Sequence, residues 1–143
     1  MAKLTGPERE EKLLNTLKQW QHIEREAIDT TGAIMEKTAN PLIRQVMEII
    51  RNDSVQHHRV QQFLIDSITT QAVTLTPEEL AEIWTDIEAH DEVEKKVIGL
   101  AKECLEESRS LVHKALLSYL LRDEEKHDVI LTELETFKKK IHT

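Results

Sequence analysis

An all-α four-helix bundle is the fold this sequence predicts, and three observations predict it. The 143-residue chain has only three Gly and three Pro, so little interrupts a helix. Charged residues make up 32% of it, and the helix-favouring types Glu, Lys, Leu and Ile are abundant. Apolar residues recur at steps of three and four along four stretches of roughly 30 residues each. One domain spanning residues 1–143 is the expected organisation, long enough for one core and too short for two well-buried ones.

Each helix has a start signal. Thr5-Gly6-Pro7 opens the first, with Pro where a missing N–H costs nothing, and the pattern runs from about residue 7 to 38. Asn40-Pro41 ends that helix and starts the second, residues 41–69. The polar, β-branched stretch from Thr70 to Thr76 is a poor helix former and reads as the one true connector. Thr76-Pro77-Glu78-Glu79 combines an N-cap, a Pro and a capping-box Glu, which starts the third helix over residues 77–108. Ser110 caps the fourth, residues 110–141.

Two tight turns and one short connector favour antiparallel neighbours in an up-down-up-down order. A crossover between the second and third helices would have to climb ~45 Å to bring His57 level with Glu94, and this connector reaches at most ~28 Å.

Composition also excludes function classes. No apolar run approaches the ~18 residues of a membrane span, and the charged N-terminal region has no signal-peptide core, so a cytoplasmic protein without a membrane partner is expected. The formal charge of -8 repels phosphate backbones, and Lys138 to Lys140 sit where a helix C-terminus favours cations, so nucleic acid is not an expected partner. Cys104 is the only cysteine, which rules out a disulfide within the chain, a Cys-x-x-Cys pair and a thiolate-rich zinc site. Its apolar setting predicts a small core residue.

Polar residues interrupt the apolar stripes at mid-helix. The first helix reads Leu13, Leu17, Trp20, Glu24, Ala27, Thr31, Ile34, or alternatively Leu14, Leu17, Gln21, Glu24, Ile28; both registers pass through Glu24. The second reads Ile43, Val46, Ile50, Asp53, His57, Val60, Leu64. The third reads Leu80, Ile83, Ile87, His90, Glu94, Val97, Ala101, Cys104, and the fourth Leu116, Leu120, Asp123, His127, Ile130, Leu134, Phe137, Ile141. Counting outward from the turns places His57 level with residues 22–24 and His127 level with residues 91–94, so the polar groups are expected to form one layer.

Buried carboxylates need compensation. A cation provides it: carboxylate oxygens and neutral imidazoles suit iron, manganese or zinc, and ligands four residues apart on a helix can converge on one ion. A layer of Asp–His and Glu–His hydrogen bonds that fixes helix register is the alternative.

This arrangement, one acid on each of two helices and acid with histidine on each of the other two, resembles the ferritin-like carboxylate proteins, including the rubrerythrins. The most specific segment is Tyr119-Leu-Leu-Arg-Asp-Glu-Glu-Lys-His127, where Glu124-x-x-His127 is similar to the family's Glu-x-x-His motif. The resemblance implies a di-iron or related site that handles dioxygen, peroxide or iron itself, and thus a ferroxidase- or peroxidase-like oxidoreductase if the site turns over. Its ligands would be Glu24, Glu94, His127 and either Asp123 or Glu124. On the second helix Ser54 stands three residues before His57, so Asp53 would substitute beside His57. Glu88 would be a secondary ligand, and His90 either a ligand or a brace for one.

Other residues carry plainer expectations. Trp20-x-x-Ile23-Glu24 is similar to Trp84-x-x-Ile87-Glu88, and with the paired Asp-x-x-x-His segments this hints at a duplication. Trp20 and Trp84 otherwise read as core aromatics, and Tyr119 as packing. His22, His58, His113 and His142 fall off the stripes and are expected in solvent, with His58 able to replace His57 after a small rotation. The competing function is a non-enzymatic scaffold bundle, paired as a homodimer, whose polar layer is structural.

Overall fold

The computed structural model describes Lys3 and residues 5–141, and the expectation for His142 lies outside them. It is all-α, with four helices: α1 (Gly6–Lys37), α2 (Pro41–Thr69), α3 (Pro77–Glu107) and α4 (Leu111–Ile141). The chain forms two compact units, Met1–Val73 and Thr74–Thr143, each a hairpin of two antiparallel helices. No helix among the described residues is long and apolar enough to cross a membrane.

The caps explain the boundaries. Thr5 and Glu8 form a full capping box, with the Thr5 N–H donating to Glu8 Oε2 at 3.4 Å and the Glu8 N–H to Thr5 Oγ1 at 3.2 Å. At Thr76 the box is half made: the Glu79 N–H donates to Thr76 Oγ1, while the Glu79 carboxylate accepts from that same hydroxyl. Asn40 Oδ1 accepts from the N–H groups of Leu42 and Ile43, and Ser110 Oγ accepts from that of His113. The Arg44 guanidinium donates back to the carbonyls of Met35 and Thr38, satisfying acceptors left open where α1 ends.

A single seam holds each hairpin together. On α1 it runs through Leu14, Leu17, Gln21, Glu24, Ile28 and Thr31, the second of the two registers considered for that helix. Ser54, His58, Gln61 and Ile65 face it from α2. On α3 the seam is Leu80, Trp84, Ile87, Asp91, Glu94, Ile98 and Ala101, and on α4 Leu117, Leu121, Glu124, Asp128 and Leu131. Heptad spacing keeps every one of these residues on the face toward the neighbouring helix.

The stripes expected to be buried mostly lie beside these seams. Leu13, Trp20, Ile34, Ile43, Ile50, Val60, Leu64, Ile83, Leu120, Ile130 and Phe137 are all exposed. Two helices in contact bury one line of side chains each, and residues one position to the side fall outside that line. For the same reason Cys104, expected in the core, is exposed.

The two hairpins repeat one another with a shift of 70 residues. α1 ends at Lys37 and α3 at Glu107; α2 starts at Pro41 and α4 at Leu111. Because 70 is a whole number of heptads, seam positions from Leu14 to Gln61 map onto seam positions of the second hairpin, as Leu17 onto Ile87, Glu24 onto Glu94, Ile28 onto Ile98 and Gln61 onto Leu131, while Ile65 maps onto the exposed Glu135. Asp53/His57 map onto Asp123/His127 in this register, whereas Trp20 does not map onto Trp84. The similarity of the two tryptophan segments is therefore out of phase with the repeat that the helices follow.

Candidate metal centre

The second hairpin gathers the densest group of donors. Glu94, from the seam of α3, is buried, with its side chain 9% exposed. Glu124 and His127 approach it from one turn of α4, where a spacing of three residues puts both on the same face. His127 Nδ1 lies 3.5 Å from Glu94 Oε2 and 3.4 Å from Glu124 Oε2. One donor atom from each of Glu94, Glu124 and His127 falls within 4.8 Å of the others.

The remaining neighbours orient these groups. His90 Nε2 lies 2.9 Å from Glu94 Oε1, so that oxygen is held from one turn earlier on α3. Glu94 Oε2 is buried and accepts no N–H hydrogen bond, with His127 Nδ1 3.5 Å away. Asp123 lies on the far side of the imidazole, its Oδ2 3.8 Å from His127 Nε2, and its other oxygen pairs with Lys126 at 3.0 Å. Half of the His127 side chain is exposed, so the cluster sits under the surface rather than in a sealed interior.

Two carboxyl pairs dominate the electrostatics. Glu124, hydrogen-bonded to Glu94 and partly desolvated, is pushed above the ordinary carboxylate range, while the same hydrogen bond holds Glu94 below it. One turn along, a hydrogen bond between Asp91 and Asp128 holds Asp91 down and pushes Asp128 up. Lys95, 3.3 Å from Asp91, is raised by that contact and its bond to Glu92. In each pair a proton on the raised acid relieves the repulsion between two like charges at this range.

These donors fit a first-row transition metal ion. Two ligands ~2.1 Å from one ion at the tetrahedral angle lie ~3.4 Å apart, which is the spacing of the imidazole nitrogen from both carboxylates. Two carboxylate oxygens and one imidazole nitrogen suit iron, manganese or zinc. Glu94 Oε2, buried and accepting no N–H hydrogen bond, supplies an acceptor that a cation would satisfy.

The first hairpin carries a thinner version of the same group. His57 Nδ1 lies 3.4 Å from Glu24 Oε1, and the Glu24 side chain is 12% exposed. Trp20 Nε1–H donates to Glu24 Oε1 at 3.1 Å, from the position that His90 holds relative to Glu94. Asp53 is half-buried on the same helix as His57. Glu124 has no counterpart here, since Ser54 stands in its place and is buried.

The expected site residues thus form two groups within their own hairpins: Glu24, Asp53 and His57 in one, His90, Glu94, Asp123, Glu124 and His127 in the other. Glu88 stands apart, accepting from Trp84 Nε1–H. His22 pairs with Glu26 on an exposed face, while His58 is half-buried and accepts from Arg25 Nε–H at 3.1 Å. Asp91, Asp128 and Trp20 were not expected in this chemistry. The seam register through Trp84, Asp91 and Glu94 carries the signal for Asp91, and position 128 follows Glu124 at heptad spacing. No family model, curated protein or solved structure matches this chain.

Proposed function

We propose that this protein binds a first-row transition metal ion, iron foremost and manganese or zinc as alternatives, through Glu94, Glu124 and His127. The observation that carries this reading is the buried Oε2 of Glu94, 3.5 Å from an imidazole nitrogen that also stands 3.4 Å from Glu124. Within this reading Glu124 rather than Asp123 is the ligand. Asp123 faces the opposite nitrogen of His127, where a carboxylate orients a ligating imidazole and raises its basicity.

Three protein ligands leave coordination positions open, and an iron ion bound this way would supply redox chemistry toward dioxygen or peroxide, of the ferroxidase or peroxidase kind that the ferritin-like resemblance implies. The chain's own part is to hold Glu94 with His90, to aim His127 with Asp123, and to bring the Glu94 and Glu124 carboxyls together where one ion would meet both. A cleft of ≈ 450 Å³ along the α3–α4 hairpin, walled by Trp84, Asp91, Lys95, Leu131 and Glu135, opens one turn from Glu94.

The test is metal titration of stripped protein with Fe²⁺ under anaerobic conditions, Mn²⁺ and Zn²⁺, followed by elemental analysis. Stoichiometric binding lost in Glu94→Gln and His127→Ala, with helicity retained, is the expected result. If wild-type protein retains no more metal than those variants, the cluster is a register-fixing polar layer. Peroxide or Fe²⁺ consumption that depends on the same residues would then separate an enzyme from a binding protein.

A further inference from the structure

We infer that the first hairpin is a second copy of this metal site, disabled at one position, and that the residue disabling it is Ser54. The inference rests on the metal-binding reading of the second hairpin and adds to it the number of ions the chain can hold and the residue that sets that number.

The repeat supplies the argument. Shifted by 70 residues, Glu24 coincides with Glu94, Asp53 with Asp123 and His57 with His127. The geometry runs parallel. In both hairpins the histidine turns Nδ1 toward the glutamate, 3.4 Å from Glu24 Oε1 in the first and 3.5 Å from Glu94 Oε2 in the second. In both, a ring nitrogen four residues earlier on the same helix meets Oε1 of that glutamate, from Trp20 in the first and His90 in the second. Burial agrees as well: the glutamate side chains are 12% and 9% exposed, the histidines 55% and 50%.

The difference that sets the number of ligands is the third donor. Glu124 gives the second hairpin its third ligand atom, and Ser54 occupies that seam position in the first. A neutral hydroxyl is a poor ligand for a divalent ion beside one carboxylate and one imidazole, so the first hairpin retains two strong donors. Two donors do not hold an ion against water as three do. Restoring a carboxylate at position 54 should therefore restore an ion. The position can take one, because its counterpart in the second hairpin accommodates Glu124 at the same seam position, with a side chain 24% exposed.

The experiment is metal counting on the full chain, with Zn²⁺ and anaerobic Fe²⁺ as probes, in wild type, Ser54→Glu, His127→Ala and the double variant Ser54→Glu/His127→Ala. Wild type is expected to hold one ion, Ser54→Glu two, His127→Ala none, and the double variant one. Loss of that last ion when His57→Ala is added places it in the first hairpin. Ser54→Asp, a smaller intrusion into the seam, serves if the glutamate variant loses helicity by circular dichroism. Two ions in wild type, or no added ion in folded Ser54→Glu and Ser54→Asp, overturns the inference while leaving the metal reading in place. No ion in wild type overturns the metal reading and, with it, the inference that rests on it.

Discussion

Trp20 and His90 occupy the same place in the two hairpins, each meeting with a ring nitrogen the glutamate four residues ahead, at 3.1 Å from Glu24 and 2.9 Å from Glu94. Both fix a carboxylate that would otherwise rotate about its last side-chain bond. A ligand held in one orientation binds an ion without first being ordered. His90→Phe keeps the bulk and removes the nitrogen, so it should weaken metal binding by about 10–100-fold with the fold unchanged. His90→Trp copies the other hairpin and should recover most of that loss. Competitive titration against a chromogenic chelator reads both variants; equal affinity in wild type and His90→Phe would remove the bracing role.

The opposite shifts of Glu94 and Glu124 give the metal-free protein a pH signature. A raised carboxyl such as Glu124 contributes stability at pH below its unfolded value, and that contribution is lost as pH rises through the raised folded value. Glu94 is depressed, so its contribution is present above the unfolded value and is lost as pH falls through the lower folded one. Glu124→Gln mimics the protonated partner. It should remove the decline on the alkaline side of the carboxylate range, leave the acid-side loss, and abolish metal binding. Urea melts of metal-free protein from acid to neutral pH would show this; an unchanged pH profile in Glu124→Gln would contradict it.

The caps and the central acid–histidine levels were legible in the sequence because each depends on local spacing. Pro41, Pro77, Asn40 and Thr76 mark helix ends through backbone geometry that needs no tertiary partner. Pairing His57 with Glu24 and His127 with Glu94 followed from counting residues outward from turns three residues long. The seam was not fixed by the same patterns. Apolar residues flank it on both sides, as Leu13 and Leu14 do at the start of α1, and periodicity alone cannot say which line a single neighbouring helix covers. Polar seam residues such as Gln61, Asp91 and Asp128 hid it further, since a search for apolar stripes steps around them.

Helix starts should dominate local stability in chains with so few buried apolar side chains. Asn40 accepts two backbone N–H groups, at 2.9 and 3.1 Å, whereas Ser110 accepts one at 3.3 Å. Asn40→Ala should cost about 1 kcal/mol and lower Tm by roughly 4–8 °C. Ser110→Ala should cost less. Thermal melts of the two variants side by side test the order, and a larger loss in Ser110→Ala would reverse it.

Gln61 offers a stabilising change that the repeat itself suggests. It is 2% exposed, and neither its Nε2 nor its Oε1 has a hydrogen-bond partner, so two polar atoms have left water without compensation. Its counterpart in the second hairpin is Leu131, which is nearly the same size and demands nothing. Gln21, across the same seam, is equally hidden but donates to Gln62 Oε1 at 3.0 Å and to the His58 carbonyl at 3.3 Å. Replacing an unsatisfied amide by a hydrocarbon removes a penalty of about 1–3 kcal/mol, whereas replacing a satisfied one also discards its hydrogen bonds. Gln61→Leu should therefore raise stability by about 1–3 kcal/mol, with Gln21→Leu gaining less or losing. Urea denaturation followed by circular dichroism measures both; a destabilised Gln61→Leu would mean that the amide has partners the seam does not reveal.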